Sequence, residues 1–173
     1  MGRSGYTLVE LLIVLAIGAI LLTIAIPGYS FLVNSSRLTI VTNDLVTALH
    51  LARSEAIKRS MRVTMCTTSS ATNALPVCDA SASWQQGWLV FVDGGTAGVI
   101  DSSDTLLRVQ DGVSAVVTIT TSNFNSYVSY LSSGRSQGPN GLANGTIRVC
   151  VDSNRRDIII NNTGRIRLAT HTC

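Results

Sequence analysis

The sequence predicts an α+β fold in which one long N-terminal helix packs on an antiparallel β-sheet system. Three observations carry that prediction. Leu11–Ile26 is apolar except for Thr23, and the uncharged region extends to Val33. From Asn34 to Ser60 apolar residues recur at spacings of three and four, the period of one helical face. Beyond Met61 the period falls to two, broken by turn residues, which is the pattern of strands.

The 173 residues suit one medium-sized body. Charged residues make up 13%, against roughly 25% in an ordinary globular chain, while the hydrophobic share is 46%, so the chain is too apolar for a disordered tail. The deficit is uneven: from Tyr6 to Asn34 the only acidic or basic side chain is Glu10. The net charge of +3 is too small to imply nucleic-acid binding by itself. It is unevenly placed, however, with an acidic middle between Val77 and Asp111 and a basic stretch between Arg148 and Arg167.

In the second half of the helix, Leu38, Val41, Leu45, Ala48, Ala52 and Ala56 share one face, and Arg37, Asp44, Glu55 and Arg59 fall elsewhere. Asn34-Ser35-Ser36 is a candidate break, but the pattern favours one kinked helix from about Leu8 to about Arg59. Pro27 removes a hydrogen bond within it and is the natural place for the kink; the alternative is that a membrane helix ends there. Strands are expected at Arg62–Thr67, Gly87–Val92, Thr105–Arg108, Ala115–Thr121, Tyr127–Leu131, Thr146–Val151, Asp157–Asn161 and Arg165–Leu168. Asp93-Gly94-Gly95 and Asn144-Gly145 supply turns. Ser132–Asn144, with Gly134, Gly138, Pro139 and Gly141, has no periodicity and is expected to be a mobile loop.

Cys66, Cys78, Cys150 and Cys173 include no C-x-x-C pair, and the chain has only two histidines, so the short paired spacings of a zinc site are missing. Two disulfides are expected in preference to four buried thiols. Of three pairings, 66–78 and 150–173 are favoured because each closes a local stretch. Disulfides imply an oxidising compartment, outside the cytoplasm.

The apolar run is long enough to cross the ~30 Å hydrocarbon core as a helix. An ordinary secretory signal would place its small-residue cleavage site after such a run. Here Arg3 and Gly5 precede it, and Glu10 sits just inside it, where an ionised carboxylate costs on the order of 2.5–3.5 kcal/mol. A cut after Gly5 would create a cationic amino terminus on Tyr6, four residues from Glu10. Gly5-Tyr6-Thr7-Leu8-Val9-Glu10 followed by an apolar helix resembles the type III prepilin signal of type IV pilins and type II secretion pseudopilins. The resemblance implies a leader of residues 1–5, cut after Gly5 by a prepilin peptidase that also N-methylates Tyr6. It further implies that Glu10 neutralises a neighbouring subunit's terminus during assembly, and that Pro27 lies where the filament helix bends or melts. Tyr6 departs conservatively from the family's usual Phe.

LARSEAIKR (51–59), GWLVFVD (87–93) and IIINNTGRIRL (158–168) resemble the GspH/FimT branch of that family, which implies the type IV pilin fold with two sheets behind the helix. The implied organisation is a leader at 1–5, a membrane and filament-core helix at 6–33, and a periplasmic body at 34–173, comprising the amphipathic helix 34–60 and the β domain. The implied role is that of a minor pilin or pseudopilin, single-pass in the inner membrane and then near a filament tip, with other major and minor pilins as partners. No cofactor is expected.

Catalysis finds little support. His50 and His171 lack a neighbouring constellation and read as structural. Asp101-Ser102-Ser103-Asp104 offers hard oxygens but too few acids for a calcium loop, so a solvated turn is expected. Trp84 and Trp88 read as core or sheet-edge aromatics. Gly164-Arg165-Ile166-Arg167 stands out: in a strand, 165 and 167 project to one face, and guanidinium forks match phosphates. It matches the GRxR motif that FimT-type pilins use on DNA, which implies double-stranded DNA as a partner. Arg148, Arg155 and Arg156 would enlarge the patch if their strands are neighbours. A solvated basic face, or one meeting an acidic pilin surface, is the plainer reading.

Overall fold

The computed structural model describes residues 7–173, apart from the side chains of residues 24–28. Gly5 and Tyr6 lie outside the described residues. Helix α1 spans Leu8–Arg59 and continues through both Pro27 and the Asn34-Ser35-Ser36 segment. The chain divides into two compact units, Met1–Ser36 and Arg37–Cys173. In the first, apolar helix residues such as Leu11, Leu12, Leu15 and Leu21 are exposed.

In the second unit, α1 residues Leu38, Val41, Leu45, Ala48, Leu49, Ala52 and Ala56 are buried in one core with residues from two antiparallel sheets. The helix is not amphipathic along its whole length. Its body half carries the stripe, and the alanines let the backbone approach the strands closely.

The strands are β1 (Val63–Thr67), β2 (Gly87–Val92), β3 (Thr105–Asp111), β4 (Val117–Ser122), β5 (Tyr127–Tyr130), β6 (Ser136–Gln137), β7 (Gly145–Val151), β8 (Asn154–Ile160) and β9 (Ile166–Thr172). One sheet has the order β3-β2-β1-β5-β6 and the other β4-β7-β8-β9. Every residue of β1 and β2 is buried, because the sheet is covered on both sides. Met65, Val90 and Val92 face the main core, and Cys66, Leu89 and Phe91 form a second cluster with Cys78, Ile100 and Tyr127. Cys66 is bonded to Cys78, with 5.7 Å between their Cα atoms, which holds the intervening loop over that second cluster.

The segment expected to be a mobile loop, Ser132–Asn144, is instead tied down: it contains β6, and Leu131, Gly134, Gly138 and Gly141 donate backbone hydrogen bonds within or across it. Strand β8 begins at Asn154 and not Asp157, because Asp152 adopts a left-handed φ of 54° that closes a tight β7–β8 hairpin. Strand β9 begins at Ile166, leaving Arg165 in the turn before it and not in the strand, and continues four residues past Leu168; Cys173 is bonded to Cys150 on β7.

Trp84 and Trp88 are both core residues, and the Trp84 indole donates to the Phe124 carbonyl at 2.9 Å. Trp84 opens a single 3-10 turn, Trp84–Gln86. Next to it, the Gln85 amide, oriented to suit both partners, donates to the Ile119 carbonyl and accepts from the Ile119 N–H, each at 3.3 Å. It occupies the backbone groups of edge strand β4 as a neighbouring strand would.

Candidate functional site

The described start of α1 is a reciprocal capping arrangement. Thr7 stands just before the helix, and its N–H and hydroxyl both donate to the Glu10 carboxylate at 3.2 Å. Glu10 N–H in turn donates to the Thr7 hydroxyl at 3.2 Å. This T-x-x-E pattern satisfies helix N–H groups otherwise without partners, and it places an anion at the positive end of the helix dipole. Glu10 is thus held at the helix start and remains exposed in the single chain. Pro27 lies mid-helix and supplies no N–H to the preceding turn. Among the described residues no helix is long and apolar enough to cross a membrane.

The second candidate is the outer face of the four-stranded sheet. Strand β8 lies between β7 and β9, so the basic stretches of all three are neighbours. Side chains alternate across a strand, so register assigns the faces. Ile158 and Ile160 are buried in the core, which sends Arg155, Asp157 and Ile159 outward. Arg148 is opposite Asp157, His171 opposite Arg155, and Arg167 opposite Ile159. Arg148, Arg155, Arg167 and His171 therefore share the outer face. Arg156 does not: it falls on the same side of β8 as the core residues Ile158 and Ile160 and is opposite Val149 and Thr170, which takes it out of the patch.

Asp157 is the one acid in this face, and it is buried. Arg155 Nε approaches it to 2.9 Å without the alignment of a hydrogen bond, and His171 Nε2 lies 3.8 Å away. Arg155 is thereby largely neutralised. Arg165 and Arg167 differ: both are exposed, and among the described residues neither has an ion-pair partner. Together with Ile159, Asn161 and Ile166 they line a shallow groove of about 440 Å³.

The turn that presents them is built locally. Asn161 Oδ1 accepts from Thr163 N–H at 3.1 Å, the Thr163 hydroxyl at 2.8 Å and Arg165 N–H at 2.9 Å. Gly164 takes a φ of 74°, and a methyl there would meet the Gly134 carbonyl and the Tyr130 ring. Only glycine fits. The N-N-T-G sequence carried the signal for this Asx-centred turn.

Elsewhere, Asp101 accepts from the Ser103 N–H and hydroxyl, which holds its carboxyl below the usual range, and Asp104 accepts from Gly94 and Asp101 N–H groups. The segment is a self-satisfied turn, and no group of three potential metal ligands occurs among the described residues. A buried polar network, not foreseen from the sequence, joins Arg62 to Asp93 at 2.6 Å and Asp93 to Thr64 at 2.6 Å, with Ser129 beyond.

The family model described as type II transport protein GspH matches residues 41–164, and the prokaryotic N-terminal methylation motif matches residues 1–26. No curated protein matches the chain. Among solved structures, the type IV minor pilin FimU of Pseudomonas aeruginosa is similar with a TM-score of 0.59 at 19% identity, over 78% of this chain and 90% of that one. The minor pseudopilin EpsH from the type 2 secretion system of Vibrio cholerae is similar with a TM-score of 0.51 at 12% identity, over 77% and 96%. At these identities the likeness establishes the fold alone.

Proposed function

This chain belongs to the type II transport protein GspH family, and we propose that it works as a minor subunit at or near the tip of a type IV pilus or a type II secretion filament, priming assembly. The observation that carries this reading is the match of the methylation motif to residues 1–26, together with the Glu10 carboxylate fixed at the start of an exposed apolar helix. In this reading the peptidase cuts after Gly5 and methylates Tyr6. The apolar helix, continuous in sequence through Ile26, anchors the chain in the inner membrane with its disulfide-bonded body in the periplasm. The same helix then packs among other pilins, with Pro27 as its point of bending. The chain is a substrate of the peptidase and performs no catalysis of its own.

Mass spectrometry of membrane-extracted protein should show loss of residues 1–5 and a single methyl on Tyr6. Recovery of intact Met1 from cells containing the peptidase would overturn the reading. Glu10→Ala should insert normally yet fail to enter filaments, since it removes the anion and spares the apolar span.

A second reading, DNA binding for uptake, is favoured by one specific observation: Arg165 and Arg167, without ion-pair partners among the described residues, line a groove on an open sheet face. Arg148 and Arg155 lie on that face, Arg155 with its charge spent on Asp157. Binding to duplex DNA should be independent of sequence and fall steeply with salt, by roughly 0.9 in the log–log slope per phosphate neutralised. Replacing both arginines by glutamine should abolish it. Equal binding by that variant would leave the assembly role alone.

A further inference from the structure

The helix and the Arg165–Arg167 turn are connected through one side chain. Arg53, half-buried on α1, donates from Nε to the Gly134 carbonyl at 3.2 Å and from Nη2 to the Thr163 carbonyl at 3.1 Å. These carbonyls belong to two turns, far from Arg53 in sequence, and each turn passes through a glycine of left-handed φ, 76° at Gly134 and 74° at Gly164. The turns also touch each other, since Gly164 packs against the Gly134 carbonyl. Gly134 O is therefore held from one side by the guanidinium and from the other by Gly164.

A planar fork can reach both acceptors at once, which a lysine ammonium on a flexible stem does not reproduce. The bond to Thr163 O fixes the plane of the peptide leading into Gly164. Asn161 fixes the next one by accepting from Arg165 N–H. The direction in which Arg165 leaves the turn, and hence its alignment with Arg167, is set from two sides. Because the fork of Arg53 is directed inward at these carbonyls, its effect on a ligand at the open face is geometric.

We propose that Arg53 is the positioning residue of the Arg165–Arg167 pair, clamping the Gly134 and Thr163 carbonyls so that both guanidiniums present to successive phosphates of one strand. The proposal rests on the reading of that pair as a DNA-binding element.

The test uses the full chain in detergent and a fluorescein-labelled DNA duplex, with anisotropy followed across a salt series. Arg53→Lys should weaken binding about fivefold, the scale of a lost hydrogen bond, with the salt slope unchanged because no phosphate contact is lost. Gly134→Ala gives a second route that keeps the Arg53 charge: alanine is strained at the φ of 76° there, so the turn shifts and carries the Gly134 carbonyl away from the fork. It should reproduce the weakening at unchanged slope, and it decides the matter if Arg53→Lys fails to fold. Arg165→Gln with Arg167→Gln should instead abolish binding, and either single replacement should lower the slope by about 1. A slope that falls by about 1 in Arg53→Gln, which removes the charge, would make Arg53 itself a phosphate ligand and overturn the proposal. So would binding equal to wild type in the variants while the melting temperature drops, the mark of a purely structural role. Absence of binding by the wild-type chain is the separate outcome in which the DNA reading fails and leaves the clamp nothing to position.

Discussion

The two sheets of the body differ in how much of each is covered. In the five-stranded sheet, β1 and β2 are buried on both faces, and even the charged pair Arg62–Asp93 is drawn into hydrogen bonds with Thr64 and its neighbours. In the four-stranded sheet, β7 alternates strictly between buried and half-buried residues, with one face on the core and the other open and basic. A doubly covered sheet has every side chain committed to packing, so its sequence is constrained by volume and hydrogen bonding. A half-covered sheet keeps one residue in two free to meet something else, and here those residues are mainly arginine, threonine and one histidine.

That contrast can be broken most severely in the covered sheet. Phe91→Ala should cost about 3–5 kcal/mol, because the ring is fully buried in the second cluster and the cavity has little room to collapse. Asp93→Ala, which strands Arg62 beside a buried site, should cost about as much, on the order of 3–5 kcal/mol. Chemical denaturation followed by circular dichroism measures both. Cys150→Ser with Cys173→Ser should cost about 2–5 kcal/mol. Its loss of amide-exchange protection should concentrate in β9, since the bond ties the last residue across β8 to β7. A loss spread evenly over both sheets would contradict the separate roles assigned to them.

A subtler difference is expected with pH. Asp79, beside the Cys66–Cys78 loop, accepts from the hydroxyls of Ser81 and Ser69, which brings its carboxyl down from 3.8 to about 2. A carboxyl lowered in the folded state stabilises above its unfolded value, and that contribution is lost as pH falls through about 4 towards about 2. Its carboxyl resonance should titrate at about 2 by NMR, and Asp79→Asn should flatten the stability profile in that window. Smallest of all, Arg167→Gln on the open face should change stability by no more than about 0.5 kcal/mol. A larger loss would mean that the face is structural after all.

Much of this was legible in the sequence, for a physical reason: periodicity reports local burial. The end of the helix followed from the change of spacing near Met61 and its start from the apolar run that begins near Leu8, and β2 was readable because a doubly buried strand is a continuous apolar run. Strand order was not readable, since β1 pairs with β5 and β4 with β7 across long loops. The start of β8 was missed because Asn154-Arg155-Arg156 carries no apolar alternation and is strand only through its partners. The same slip put Arg156 in the basic patch, as facing depends on register. The spacing of Arg165 and Arg167 suggested one shared face, but Arg165 stands just before β9, in a turn that spacing did not reveal. Arg53 was not, because its acceptors lie 81 and 110 positions away.

The Gln85 amide at the edge of β4 has a consequence for growth. A β-sheet is a one-dimensional polymer of strands, and its exposed edges are where further strands from other chains add. By placing a side-chain amide on both backbone groups of Ile119, the 3-10 turn acts as a chain terminator on one side of the four-stranded sheet. The other end is β9, which is not capped in this way, so this sheet has one dead end and one live end. Strand addition to this sheet is thereby confined to β9, and the open face of the sheet is left untouched.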